Sequence, residues 1–216
     1  MATSNSTSFD LNVDDAIEES YERCGVRMTS GYQLNSARRS LNLLFLEWAN
    51  RGLNLWTIEQ GTLSFIASTN FYNLPTDTVN ILTAVINDTN DIAIDRISRA
   101  EYLNIPNKTT TGRPSQYYVE RTNVPKLYVY PSPDKAYSFK YYRIRRIQDS
   151  GQYTNTLDVN FRFLPCLTAG LAYYLSLKIA PERTQSLKLF YEEEFARAAA
   201  EDRDTASVSF VPQVGA

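Results

Sequence analysis

The 216-residue sequence contains no histidine, only two cysteines, two tryptophans and two methionines, and a net charge of -2 from 22 basic and 24 acidic residues. The missing histidine removes the commonest general base, the commonest zinc ligand and every Ser-His or Cys-His pair. Cys24 and Cys166 lie too far apart in sequence for a metal or CxxC motif, and one bridge is no disulfide framework, so both read as buried small apolar residues. No excess of positive charge is present to hold nucleic acid or an anionic membrane by bulk electrostatics. No run approaches the roughly 20 apolar residues of a membrane span, and the N-terminal MATSNSTSFDLN lacks both a basic start and an apolar core. The simplest reading is a protein made and used in a reducing cytoplasm, with no catalytic residues, cofactor or metal.

What is present is enough apolar residue, 43% of the chain, to bury a core. Fifteen tyrosines are also present, and nine of them fall between Tyr102 and Tyr153. Aromatic side chains suit a pleated, half-buried surface, so the middle of the chain reads as strand-rich. The flanks read as helix. In FDLNVDDAIEESYERCG, Val13, Ile17, Tyr21 and Cys24 recur at helical spacing and Gly25 follows as a stop. In LNSARRSLNLLFLEWANRG, Leu34, Ala37, Leu41, Leu44 and Trp48 form a stripe that Leu43, Phe45 and Leu46 widen, so this helix needs cover on more than one side, from other helices or from a neighbouring subunit.

From Leu55 the pattern shortens. LWTIEQ, TLSFIAS and NFYNLP read as a hairpin, bulged at Gly61, and TVNILTAVI and IAIDRIS as two further strands. Ser98 and Glu101 form a capping box that starts a short helix. QYYVER, KLYVYP and AYSFKYYRIRRI follow as strands, with PSPD, Pro131 to Asp134, as a hairpin turn between the last two. NFRFLPCLTAGLAYYLSLKIA and PERTQSLKLFYEEEFARAAAEDR then form an αα-hairpin, with Pro181 in a first turn. The expected fold is α+β. A four-helix bundle is built from the N- and C-terminal helix pairs (1–54 and 155–204), with an inserted antiparallel β-rich module (55–154) and an extended C-terminal tail (205–216) carrying Val208, Phe210 and Val211.

Few residues invite a chemical reading. Arg143 and Arg145 share a strand face, with Arg146 beside them and Tyr142 and Ile144 opposite, a pattern for gripping single-stranded nucleic acid or for an interface between subunits. Trp48 is the second interface candidate. Glu192, Glu193 and Glu194 point to different sides of a helix and read as a solvated, ion-paired face; paired-carboxylate catalysis needs two such groups about 5 to 9 Å apart in a cleft. Asp158 and Asn160 before a helix read as a cap, with too few oxygens for calcium. No GxGxxG or GxxxxGKS phosphate-binding motif occurs.

SARRSLNLLFLEWANRGLNLW, FYNLP, TVNIL, RISRAEYLNIPNK, GRPSQYYVER, PSPD, YYRIRRI, NFRFLPCLTAGLAYYLSLK and PERTQSLKLFYEEEF, in that order, resemble the head-to-tail adaptor proteins of short-tailed bacteriophages, also called tail accessory or head completion proteins. The resemblance covers roughly Leu11 to Arg203 and is most specific at EWANRG-NLW, IPNK-GRP and RFLP-AGLAYYL. It implies a structural virion protein at the head-tail junction, assembled in the host cytoplasm as a homo-oligomeric ring of about twelve copies. The ring would dock below the portal, extend the DNA ejection channel without binding DNA sequence-specifically, and give tail nozzle or tube proteins a platform. The C-terminal segment would then reach along the portal through Val208, Phe210 and Val211. The alternative reading of the tyrosine-rich strands is a carbohydrate-binding or carbohydrate-active tail module, which requires exposed aromatics around a cleft with two convergent carboxylates.

Overall fold

The computed structural model describes residues 5, 9, 11–52, 55–152 and 154–202, the Leu55 side chain excepted. The chain is mixed α+β and divides into two compact units, one of residues 1–55 with 148–216 and one of residues 56–147. Five α-helices occur among the described residues: α1 (Val13–Arg23), α2 (Gly31–Arg51), α3 (Arg99–Asn104), α4 (Leu164–Ile179) and α5 (Thr184–Glu201). The strands are β1 (Ile58–Phe65), β2 (Phe71–Asn73), β3 (Thr78–Asn87), β4 (Asp91–Ala93), β5 (Asp95–Arg96), β6 (Thr111–Gly112), β7 (Gln116–Glu120), β8 (Lys126–Tyr130), β9 (Ser132–Pro133) and β10 (Tyr137–Arg145).

In the helical unit α4 is the central element and packs on α1, α2 and α5. Its composition explains this position, since Leu164, Cys166, Leu167, Ala169, Leu171, Ala172 and Leu175 are all buried and leave no polar side of the usual width. Gly170 lets its neighbours close in. A Cβ there would lie 2.8 Å from the Tyr191 ring of α5 and 2.9 Å from Leu44 of α2. Helix ends follow local chemistry: Asn12 caps α1 through Asp15 N–H at 2.9 Å, and Gly25 beyond its end takes φ +74°, where a side chain would be strained. Ser30 and Gln33 form a capping box on α2. Cys24 and Cys166 are free and buried, as their isolation suggested, and burial pushes both thiols above the usual cysteine range.

The β unit holds two four-stranded sheets, in the orders β1-β10-β3-β4 and β2-β8-β7-β5, and a small β6-β9 pair. Most pairs are antiparallel; β5-β7 and β6-β9 are short parallel contacts. Phe65, Tyr72, Ile81, Ile86, Tyr117, Leu127, Val129 and Phe139 are among its core residues, and the Phe65 ring stacks on Tyr72 and Phe139 at 4.6 and 5.1 Å.

Three strand expectations are corrected. LWTIEQ and TLSFIAS do not turn at Gly61: Ile58–Phe65 is one strand running antiparallel along β10, and NFYNLP contributes β2 to the other sheet. Gly61 is opposite Tyr141, whose ring lies 2.5 Å from where a Cβ would be, so the glycine makes room for an aromatic and not for a bulge. IAIDRIS splits into β4 and β5, which belong to different sheets. PSPD does not close a hairpin either: β8 pairs with β7 and β2, whereas β10 pairs with β1 and β3, so this segment carries the chain from one sheet to the other.

Candidate docking surfaces

The arginines singled out in the sequence are held inside the β unit. Arg143 is 7% exposed, and its guanidinium donates to Asp77 Oδ1 and Thr78 Oγ1, both at 2.6 Å, and to Glu59 Oε1 at 2.8 Å. It sits where β10 shifts register against β3, between Tyr142 and Arg143, so the irregularity aims the side chain at the carboxylates of β1 and the β2-β3 turn. Arg145 shares Glu59 at 3.4 Å. Arg146 lies just past β10, and its backbone N–H donates to Asp77 O at 2.8 Å. The expected interface or nucleic-acid role of this trio is thus corrected for Arg143, whose charge is fully engaged and has almost no surface; the aromatic on the opposite face, Tyr142, is 49% exposed.

Trp48 is corrected in the same way. It is 0% exposed, its ring packs on Phe45, Phe163 and Phe195, and its indole N–H donates to Tyr191 Oη at 2.9 Å. Tyr191 Oη in turn donates to Glu47, and burial together with that carboxylate pushes the phenol well above its ordinary range. One turn on, Arg51 binds Glu192 bidentately, with both contacts at 2.7 Å, pairs with Glu47, and lies 4.5 Å above the Phe195 ring. Spacing supplies this clasp: Glu47, Trp48 and Arg51 fall on one face of α2, and Tyr191, Glu192 and Phe195 on one face of α5.

Convergent carboxylates therefore exist, but each pair closes on an arginine. The hydrogen bond and charge of Arg143 hold Asp77 below the usual carboxylate range, and those of Arg51 do the same for Glu192. A general acid working near neutrality needs the opposite shift. Glu193 and Glu194 pair with Arg197, an ion-paired helix face as their run suggested. Asn160 accepts from Arg162 N–H at 3.5 Å as a cap of the short turn before α4, and Asp158 accepts from Gln148 N–H at 3.0 Å. Among the described residues no cluster of three or more metal-ligating side chains occurs, and no helix is long and apolar enough to cross a membrane.

The tyrosines divide between core and surface. Tyr117 and Tyr141 are 2% and 4% exposed; Tyr102, Tyr118 and Tyr128 stack as a half-buried ladder where α3 covers β7 and β8, with the Tyr128 hydroxyl on Glu120 at 3.2 Å. A sugar platform needs free ring faces, and this ladder presents its rings to one another.

Open surfaces of the helical unit among the described residues include a groove and a helix row, and no chemical motif in the sequence points to the first. It is a groove of about 700 Å³ between α1 and the start of α4. Leu11, Leu164 and Pro165 give it an apolar floor, the exposed Phe9 and Phe161 stand at its edges, and Asp15, Glu18, Glu19 and Glu22, with Arg23 among them, form a mostly acidic wall. The second was partly legible as the over-wide apolar stripe of α2. Phe45 is buried from that stripe, but Leu43 and Leu46 are 54% and 56% exposed and continue a surface row through Arg39 and Asn35 to Tyr32, 76% exposed. Val208, Phe210 and Val211 lie outside the described residues.

No curated protein matches the chain. The family model described as SU10 adaptor protein matches residues 25–214. That span includes α2, the whole β unit, α4 and α5, the stretches on which the adaptor resemblance rests. The chain belongs to the SU10 adaptor protein family and is a phage adaptor, a component of the virion.

Proposed function

We propose that this protein is a structural head-to-tail connector subunit that acts by ring assembly and by docking, without catalysis, cofactor or metal. The four helices α1, α2, α4 and α5 form the bundle of the ring body below the portal, about twelve copies line an extension of the DNA channel, and the β unit faces the tail nozzle or tube proteins. The segment with Val208, Phe210 and Val211 is the portal-docking tail. Membership of the adaptor family carries this reading.

Physical features support it. A net charge of -2 suits a wall past which DNA slides, because a basic lumen would retain the cargo. A structural subunit needs open apolar surface, and the α2 row with its two half-exposed leucines supplies it. Electron microscopy of the protein mixed with its cognate portal tests the reading. The expected image is a ring of added density on the tail-facing end of the portal. A protein that leaves the portal bare, and stays monomeric in its presence, overturns it.

A further inference from the structure

We infer that the α2 row of one copy, Arg39 to Leu46, docks in the acidic groove between α1 and α4 of the next copy, so that self-association is head-to-tail and joins two different surfaces. The inference rests on the self-association reading above and adds its polarity and its residues.

Charge, chemistry and size all match. The groove wall carries Asp15, Glu18 and Glu22 uncompensated within it, while its Glu19 and its one basic residue, Arg23, pair with each other at 2.8 Å. The α2 surface is basic on the corresponding side: Arg39 is exposed, and it lies close enough to the exposed Lys178 of α4 to help lower that ammonium's pKa, after burial as the larger cause. The Lys178 head is fixed there by Ser40 Oγ at 2.7 Å and Ser36 Oγ at 3.1 Å. Beyond the charges, Leu43 and Leu46 would meet the apolar Pro165 and the exposed Phe9 at the rim of the groove.

Arg39 to Leu46 and Asp15 to Glu22 are both seven-residue steps along a helix, about 10 Å each at the α-helical rise. An exposed helix row and an apolar groove of equal length are the two halves of a helix-in-groove contact. The two surfaces share no residue. An acidic groove repels its own copy, and a basic row does likewise, so two-fold pairing of either surface with itself is disfavoured. Pairing between unlike surfaces propagates from copy to copy and closes into a ring when the rotation allows.

The test uses the full chain on its cognate portal. Leu43→Cys and Glu18→Cys are each made alone, and both native thiols are buried and silent toward a short bismaleimide. Expected is a covalent dimer when the two variants are mixed, none from either alone, and a ladder of multimers from the double variant. Arg39→Glu and Glu18→Arg should each weaken association about tenfold or more, and the double variant should recover to within about threefold of wild type. All three positions are on the surface, and far-UV circular dichroism confirms that each variant is folded.

Crosslinking of Leu43→Cys to itself, an adduct between Leu43→Cys and the portal, or charge reversals without effect would overturn the head-to-tail pairing while leaving the adaptor reading intact. A wild-type protein that neither self-associates nor binds the portal overturns both.

Discussion

The helical and β units each contain an arginine held by two carboxylates, and the two clasps differ in what surrounds the charge. Arg51 ties α2 to α5 from a position 26% exposed, lying over the rings of Tyr191 and Phe195, with its partner Glu192 close to solvent. Arg143, whose side chain is only 9% exposed, ties β10 to β1 and to the β2-β3 turn among buried residues. Helices bring their pairs together by i, i+4 spacing and can leave the charges at the rim. A sheet face alternates every residue, so an inward arginine is committed to the interior and needs its partners brought to it. The helical clasp is therefore an addition to a core that aromatic packing already closes, and the sheet clasp is part of the core.

The sharpest way to break this contrast is to remove the packing beneath the helical clasp. Trp48→Ala should cost about 3 to 5 kcal/mol, because it empties the space between Phe45, Phe163 and Phe195 and leaves Tyr191 without its indole donor. Arg51→Met should cost far less, since its charges are near water. In the β unit the arginine itself carries more. Arg143→Ala should cost about 2 to 3 kcal/mol, less than a fully buried pair because Glu59 and Asp77 keep part of their hydration at 43% exposure. Chemical denaturation measures both. For the two arginine variants the tryptophans separate the readout, because Trp48 belongs to the helical unit and Trp56 to the β unit; Trp48→Ala, which removes the helical reporter, is followed by far-UV circular dichroism. Equal losses for Arg51→Met and Arg143→Ala would erase the distinction.

A third comparison sets Gly170 against Gly61. Both make room for a tyrosine ring, but Tyr191 is fixed by Trp48 and Glu47 while Leu44 presses from a second helix. Gly170→Ala should thus cost about 1 to 3 kcal/mol. At Gly61 only the outer end of the Tyr141 ring intrudes, and the strand gains from losing a glycine. Gly61→Ala is expected to be the milder of the two, read as the shift in denaturation midpoint.

These pairs also explain what the sequence made legible. The α2 stripe, the cap at Ser98 and Glu101, and the strand positions of QYYVER and KLYVYP depend on neighbours within one or two turns, which the sequence displays directly. Sheet membership does not. Whether KLYVYP pairs with QYYVER or with AYSFKYYRIRRI is decided by which faces bury together, and Pro131 to Asp134 look like a turn in either case. Gly61 and Gly170 could be seen as glycines, but the rings above them come from residues 80 and 21 positions away. The groove was missed for the same reason: its acidic wall read correctly as the outer face of α1, and its floor comes from the start of α4. Trp48 and Arg143 looked available because a sequence shows composition and not exposure.

Acid provides the gentlest probe of the two clasps. Asp77 and Glu192 both ionise more readily in the folded protein, in each case chiefly through the hydrogen bond from their arginine. A carboxylate whose folded pKa is depressed stabilises the fold fully above its unfolded value, about 3.9 for Asp and 4.3 for Glu. That contribution disappears as pH falls through the lower folded value. Asp77→Asn should therefore lose stability at pH 7 and converge with wild type as acid protonates the Asp77 carboxyl of the folded protein. Glu192→Gln should show the same convergence with a smaller amplitude, and added salt should reduce it further, because Arg51 is more open to solvent than Arg143. Thermal melts from pH 7 to pH 2, at low and high salt, measure both. A Glu192→Gln effect as large and as salt-resistant as that of Asp77→Asn would mean that the helical clasp is shielded from water in solution, and that the α2-α5 contact depends on charge as much as the sheet does.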